Sequence, residues 1–96
     1  MSCYVWVEIN IPDRSKVIEY MREAPKIVKK YNGKYLVRGG AVKILEGSIG
    51  EHPTKILIEF PDQKSALSWY ESPEYKAIHH IRTDNSACNF MLLDGI

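Results

Sequence analysis

From Tyr4 to Asn10 the chain alternates between two kinds of position, with Val5, Val7 and Ile9 on one side and Tyr4, Trp6 and Glu8 on the other. That period of two, in β-branched and aromatic residues, predicts a half-buried strand. Pro12-Asp13 ends it and offers Asp13 as a helix cap. Val17, Tyr20, Met21, Ala24, Ile27, Val28 and Tyr31 then recur at three- and four-residue steps, the stripe of an amphipathic helix closed by Asn32-Gly33 as a left-handed cap. Pro25 lies inside that stripe and predicts a kink or a restart. Lys34 to Arg38 reads as a second strand, continued in extended form from Ala41 to Glu46 beyond Gly39-Gly40, and Gly47 to Pro53 reads as a loop. Lys55 to Phe60 alternates again, with Ile56, Ile58 and Phe60 opposite Leu57 and Glu59. Pro61-Asp62 repeats the strand-stop and helix-start, leading into a helix with Ala66, Leu67, Trp69 and Tyr70. Ser72-Pro73 caps a further helix carrying Tyr75, Ile78 and Ile81, and Asn89 to Asp94 reads as the last strand.

The order β-α-β-β-α-β predicts an α+β, ferredoxin-like domain: an antiparallel sheet with helices on one face. A second core would need roughly 100 more residues, so residues 1–96 form a single domain. With the helices over Val5, Val7 and Ile9, the opposite face displays Tyr4, Trp6, Glu8, Leu57 and Glu59. An exposed patch of that kind calls for a second copy packed face to face, a homodimer in the manner of dimeric α+β barrels.

Charge and cysteine usage narrow the setting. A net charge of +1 provides no global field for nucleic acid or anionic lipid, so neither a nucleic acid nor a membrane is expected as a partner. No apolar run approaches the ~18 residues of a membrane span, and the N-terminus lacks the pattern of a signal peptide. Cys3 and Cys88 lack metal-site spacing, which argues for no metal and for free thiols in a reducing cytoplasm, with a terminus-pinning disulfide as the alternative, and no cofactor is expected.

The segments K-Y-N-G-K-Y-L-V-R-G-G, L-E-G, I-E-F-P and W-Y-E-S-P-E-Y, spread over nearly the whole chain, closely resemble the domain of unknown function 1330 family. The resemblance implies small dimeric α+β-barrel proteins and supplies no substrate, cofactor or catalytic residue. Related barrels host monooxygenases, isomerases, haem-handling enzymes and ligand sensors, so fold likeness alone does not choose among them.

Several residues carry candidate chemistry. Gly39-Gly40 is followed by an extended run rather than by a helix N-terminus, which points to a bulge or tight bend and away from a phosphate cradle. Arg38 is open to two readings, an ion pair at the dimer seam or a clamp for a carboxylate or enolate oxygen. In the second, Glu8 or Glu59, with its pKa raised by burial, moves a proton as the catalytic group while Tyr4 and Trp6 wall the pocket. Tyr75 and Arg82, seven apart on one helix face, complete a polar rim around the cavity in that reading. His79 and His80 point about 100° apart on a helix and cannot chelate one metal together, so at most one faces inward; His52 falls in a loop. Trp69-Tyr70 reads as a core anchor and its surface neighbour. These features point to a dimeric binder of a small organic molecule, between sheet and helices or near the barrel seam, with or without cofactor-independent acid/base chemistry. The rival is a non-catalytic dimer whose polar residues only specify association.

Overall fold

The computed structural model describes all of residues 1–96. Strands β1 (Cys3–Asn10), β2 (Lys34–Arg38), β3 (Thr54–Phe60) and β4 (Ala87–Asp94) form one antiparallel sheet in the order β2-β3-β1-β4. Helices α1 (Ile18–Lys30), α2 (Gln63–Tyr70) and α3 (Pro73–Thr83) fill the connections of a ferredoxin-like α+β domain. β1 lies between β3 and β4, so its alternation is enforced from both sides: Cys3, Val5, Val7 and Ile9 are buried, whereas Tyr4, Trp6 and Glu8 are only half-buried. The core packs Val5, Val7 and Ile9 with Ile58 and Phe60 of β3 against Ala24 and Val28 of α1, Ala66 and Trp69 of α2, and Tyr75 and Ile78 of α3.

The caps are those the sequence predicts. Asp13 accepts from the Ser15 amide at 3.0 Å and opens a 3-10 turn (Arg14–Val17) that leads into α1. Asp62 accepts from the Ser65 amide at 2.7 Å to start α2. Ser72 accepts from the Tyr75 amide at 3.1 Å while its hydroxyl donates to the Trp69 carbonyl at 2.8 Å, which joins the end of α2 to the start of α3. Asn32 takes φ 68° after α1, and the Gly33 amide returns to the Val28 carbonyl at 2.9 Å.

Two local expectations are corrected and a third, at Gly39-Gly40, is met as a tight bend. α1 runs uninterrupted through Pro25, and the change of helical geometry falls earlier, where the 3-10 turn gives way at Val17–Ile18. Proline lacks an N–H, so the Met21 carbonyl four residues earlier has no helical donor; the Arg38 Nη2 group takes it at 2.9 Å. Ala41 to Glu46 does not extend β2, because the partner strand runs out: Arg38 sits opposite Ile56, the Gly39 amide reaches the Lys55 carbonyl at 2.9 Å, and β3 begins at Thr54. Gly39, at φ 71°, bends the chain away into a connection that lasts until Pro53. The bulge in this strand lies not at the glycines but at Leu36, since Tyr35 pairs with Ile58 while Val37 pairs with the adjacent Leu57.

A candidate ligand cavity between the sheet and the first helix

The bulge decides where Arg38 goes. In an unbroken strand Arg38 would share a face with Lys34 and Leu36, opposite Tyr35. With Leu36 inserted, Tyr35 and Arg38 stand against Ile58 and Ile56 on the helix side, and Lys34 and Val37 stand against Glu59 and Leu57 on the open side. Arg38 therefore leaves the face that carries Glu8 and Glu59. Its guanidinium lies 5.1 Å from the Tyr35 ring and donates to Met21 instead.

The two glutamates have other partners. Glu8 is the cross-strand neighbour of Lys55, and their side chains meet at 2.6 Å. Lys55 also donates to the carbonyls of Ile49 and His52, both at 2.8 Å, so the pair ties the Gly39–Pro53 connection to the sheet. The hydrogen bond from Lys55 holds the Glu8 carboxyl below its ordinary value, the reverse of the upward shift a proton-transfer role was expected to need. Glu59 accepts from the Tyr4 hydroxyl at 3.2 Å. Glu8, Glu59, Tyr4 and Trp6 thus stand together on the open face, and Arg38, Tyr75 and Arg82 stand on the other side of the sheet.

On that other side a cavity of about 190 Å³ separates the sheet from α1. Val7 and Ile9 of β1 and Ile56 and Ile58 of β3 form its floor, and Val17, Tyr20, Met21, Ala24 and Pro25 form its roof. Trp69 of α2, Arg82 of α3 and Phe90 of β4 also line it, as do Arg14, Tyr35, Arg38 and Gly39. Most of the lining is apolar; its charged members are three arginines, with no Asp, Glu or His.

Arg82 is the least expected of these groups. It is only 3% exposed, and none of the three ion pairs of the chain includes it. Its Nη1 donates to the Cys88 sulfur, and its guanidinium lies 4.1 Å from the centre of the Phe90 ring and 5.8 Å from that of Tyr20. Its Nε has no partner, and neither has the indole Nε1 of Trp69, which is 1% exposed. Burial works against the charge of Arg82, but Tyr75, Tyr20 and Cys88 more than offset it, so its pKa stands above the ordinary arginine value. Tyr75 itself is fully buried and does not line the cavity; its hydroxyl lies 2.6 Å from that of Tyr20, which does. Burial pushes the pKa of both phenols up, that of Tyr20 well above the usual tyrosine value, and pushes Tyr35 up to about 12. All three are neutral hydrogen-bonding groups near pH 7 and none is a base.

With this geometry established, comparison with known proteins adds the family. Residues 2–96 match the profile of the family described as Domain of unknown function (DUF1330). The chain belongs to that family. None of the curated proteins matches it. Among solved structures, this DUF1330 chain is similar to a dimeric ferredoxin-like protein of unknown function from Jannaschia sp. CCS1, with a TM-score of 0.78 at 13% identity over 99% of this chain and 100% of the other. It is also similar to a protein of unknown function from Rhodopseudomonas palustris, with a TM-score of 0.75 at 15% identity over 99% and 82% of the two chains. A putative antibiotic biosynthesis monooxygenase from Nitrosomonas europaea follows at a TM-score of 0.58 and 13% identity, over 100% and 99%. Identities this low establish a shared fold and no shared chemistry.

For this DUF1330 chain the sequence reading put Arg82 and Tyr75 on one helix face and missed Tyr20, Tyr35 and Arg14. The legible signal was the stripe Tyr75, Ile78, Arg82: a charge at the i+7 position of an otherwise buried row. His79 is half-buried against Tyr70 and Tyr75, burial lowers its pKa, and it does not reach the cavity; His80 is exposed. Cys3 and Cys88 are both free thiols. No helix is long and apolar enough to cross a membrane.

Proposed function

We propose that this protein is a homodimeric small-molecule binder whose ligand sits in the cavity between the sheet and α1. The observation that carries this reading is the cavity itself: about 190 Å³ of mostly apolar space under a helix, in a chain of only 96 residues. A concave, mostly apolar space with a few polar groups at its walls is the usual form of a small-molecule site. Binding without proton transfer is the form the lining favours, because acid/base work needs a carboxylate, an imidazole or a lowered phenol, and the cavity holds none of these. Glu8 and Glu59 act in this reading on the open face, where they help fix the dimer.

The open face supports the homodimer. Trp6 pairs with Leu57 and Met91, and Tyr4 with Glu59 and Leu93, so two aromatic rings lie amid Met91 (43% exposed) and Leu93 (44% exposed). A contiguous apolar surface of this kind is ordinarily covered, and the similar protein from Jannaschia is described as dimeric.

Two measurements test the reading. A panel of monocyclic organic molecules is titrated while the Trp69 indole resonance is followed by NMR, with Trp6→Phe assigning the two indole signals. Binding that shifts Trp69, and that Ala24→Leu abolishes by filling the roof, supports the site; no response at millimolar concentration overturns it. Sedimentation tests the dimer. The wild type is expected as a dimer and Leu93→Asp as a monomer, and single wild-type subunits at micromolar loading would refute the pairing.

A further inference from the structure

Resting on the reading of the cavity as a ligand site, we infer that its ligand is a small monocyclic carboxylate whose anionic group is held at the buried end by Arg82. The argument begins with hydrogen-bond accounting. Arg82 Nε and Trp69 Nε1 are buried donors without acceptors, and both belong to residues that line the cavity. Guanidinium and indole N–H groups donate and never accept, so the missing partner is an acceptor. Buried polar groups in folded proteins are nearly always satisfied, and two unpartnered donors carried by neighbouring residues of one cavity lining mark the region that an acceptor would have to approach.

Charge accounting gives the acceptor its sign. Arg82 cannot shed its proton, is 3% exposed and has no carboxylate beside it. Its polar and aromatic neighbours, the Cys88 sulfur, the Tyr75 phenol and the rings of Phe90 and Tyr20, offer dipoles and π-faces but no counter-charge near pH 7. The other charged residues on the cavity wall, Arg14 and Arg38, are also cations, and they are exposed. An anion entering from solvent therefore meets the same sign of potential throughout, in a cleft with apolar walls that focuses it. The Tyr20–Tyr75 pair, two hydroxyls at 2.6 Å, shares one proton and offers the cavity a further donor when Tyr75 donates to Tyr20, which alone of the two lines it.

Volume and lining then choose the class of anion. A dry cavity of about 150 Å³ holds benzene, so about 190 Å³ admits one six-membered ring with a carboxylate. A strongly hydrated dianion such as phosphate would have to give up its water to Val7, Ile9, Ile56 and Ile58, and the cavity offers too few polar groups to replace it. A carboxylate on a ring matches both parts, its fork to the guanidinium and its apolar body to the sheet.

The test uses sodium benzoate, benzamide, toluene and inorganic phosphate as probes on the wild-type protein, with the Trp69 indole resonance as readout. Benzoate is expected to bind at least tenfold more tightly than benzamide, and Arg82→Met is expected to erase that preference while leaving toluene binding unchanged. Arg82→Lys, which keeps the charge but not the fork, is expected to fall between them and serves if the methionine variant does not fold. Toluene or benzamide binding as well as benzoate would overturn the anionic class and leave the cavity reading standing. Phosphate alone shifting Trp69 would replace the carboxylate by a phosphate and overturn the inference. Silence from all four probes would remove this inference and the cavity reading together.

Discussion

Arg82→Met is expected to make the ligand-free protein more stable, because the phenols of Tyr75 and Tyr20 that hold the Arg82 pKa up are themselves neutral near pH 7 and leave the buried charge without a counter-ion. The effective penalty for burying an ion is several kcal/mol, and the unpartnered Nε adds about 1 to 3 kcal/mol. Against this stand the Phe90 ring at 4.1 Å, a desolvated contact worth about 2 kcal/mol, and two smaller losses, the more distant Tyr20 ring at 5.8 Å and the hydrogen bond to the Cys88 sulfur, worth about 1 kcal/mol. Methionine keeps an unbranched apolar stem and a sulfur that packs well on aromatic edges, so most of the packing survives. The balance is a gain of about 1 to 2 kcal/mol, which for a domain of this size raises Tm by about 4–8 °C per kcal/mol. Urea unfolding followed by tryptophan fluorescence, at matched protomer concentration, reads the difference as a higher midpoint at unchanged slope. A loss of more than about 1 kcal/mol at unchanged slope would refute the reasoning, since it would make Arg82 a structural tie and not a waiting ligand group.

Other outcomes follow from single features of the fold. At Gly33 a Cβ would lie 2.6 Å from both the Phe60 ring and a Val28 methyl, and these neighbours are buried on every side, so Gly33→Ala is expected to cost about 1–3 kcal/mol in urea unfolding, whereas Gly40→Ala, with nothing within 4 Å, is expected to leave stability unchanged or slightly raised. Pro25→Ala restores a helical donor to the Met21 carbonyl and is expected to stabilise the chain by about 1 kcal/mol or more, while releasing Arg38 to solvent; an unchanged unfolding midpoint would count against the assignment. Glu8, Asp13, Asp62 and Glu74 all have lowered folded-state pKa values, so their contribution is present above the ordinary carboxylate range and is lost as pH falls through the lower folded values. The unfolding midpoint is therefore expected to drop below about pH 4, with a shallower slope in Glu8→Gln; identical slopes would show that the Lys55 pair contributes nothing.

The elements of this fold were legible because each is signalled locally. Asp13, Asp62 and Ser72 announce helix starts through their own side chains, and the alternation in β1 and β3 is unbroken, so both faces of the central strands follow from counting by twos. The site was less legible because it depends on one extra residue. Counting by twos through β2 puts Arg38 opposite Tyr35, but the bulge at Leu36 puts the two on one side, and nothing in Lys-Tyr-Leu-Val-Arg marks leucine as the inserted residue. That slip of one position moved Arg38 from the glutamates of the open face to the mouth of the cavity. The family resemblance could not repair it, since it carries fold and association but no residue roles.

The placement of charge connects the two faces. With a net charge of +1 the chain has almost no field as a whole, yet its charges are sorted. Glu8 pairs with Lys55, Glu74 with Lys30 and Glu23 with Lys26, so these acids are answered at or near the surface by lysines. The cations left without carboxylates at the cavity are arginines, and they form a series of decreasing exposure, from Arg14 and Arg38 outside to Arg82 within. Salt screens the outer two over a Debye length of about 8 Å, so they act on approach, while the buried one is screened little and acts on retention. The Leu36 bulge that brings Arg38 to this side also leaves Val37 beside Leu57 on the open face, where a partner would cover it. One inserted residue thus supplies a cation to the cavity and an apolar side chain to the open face, which ties the construction of the two sides of the sheet together.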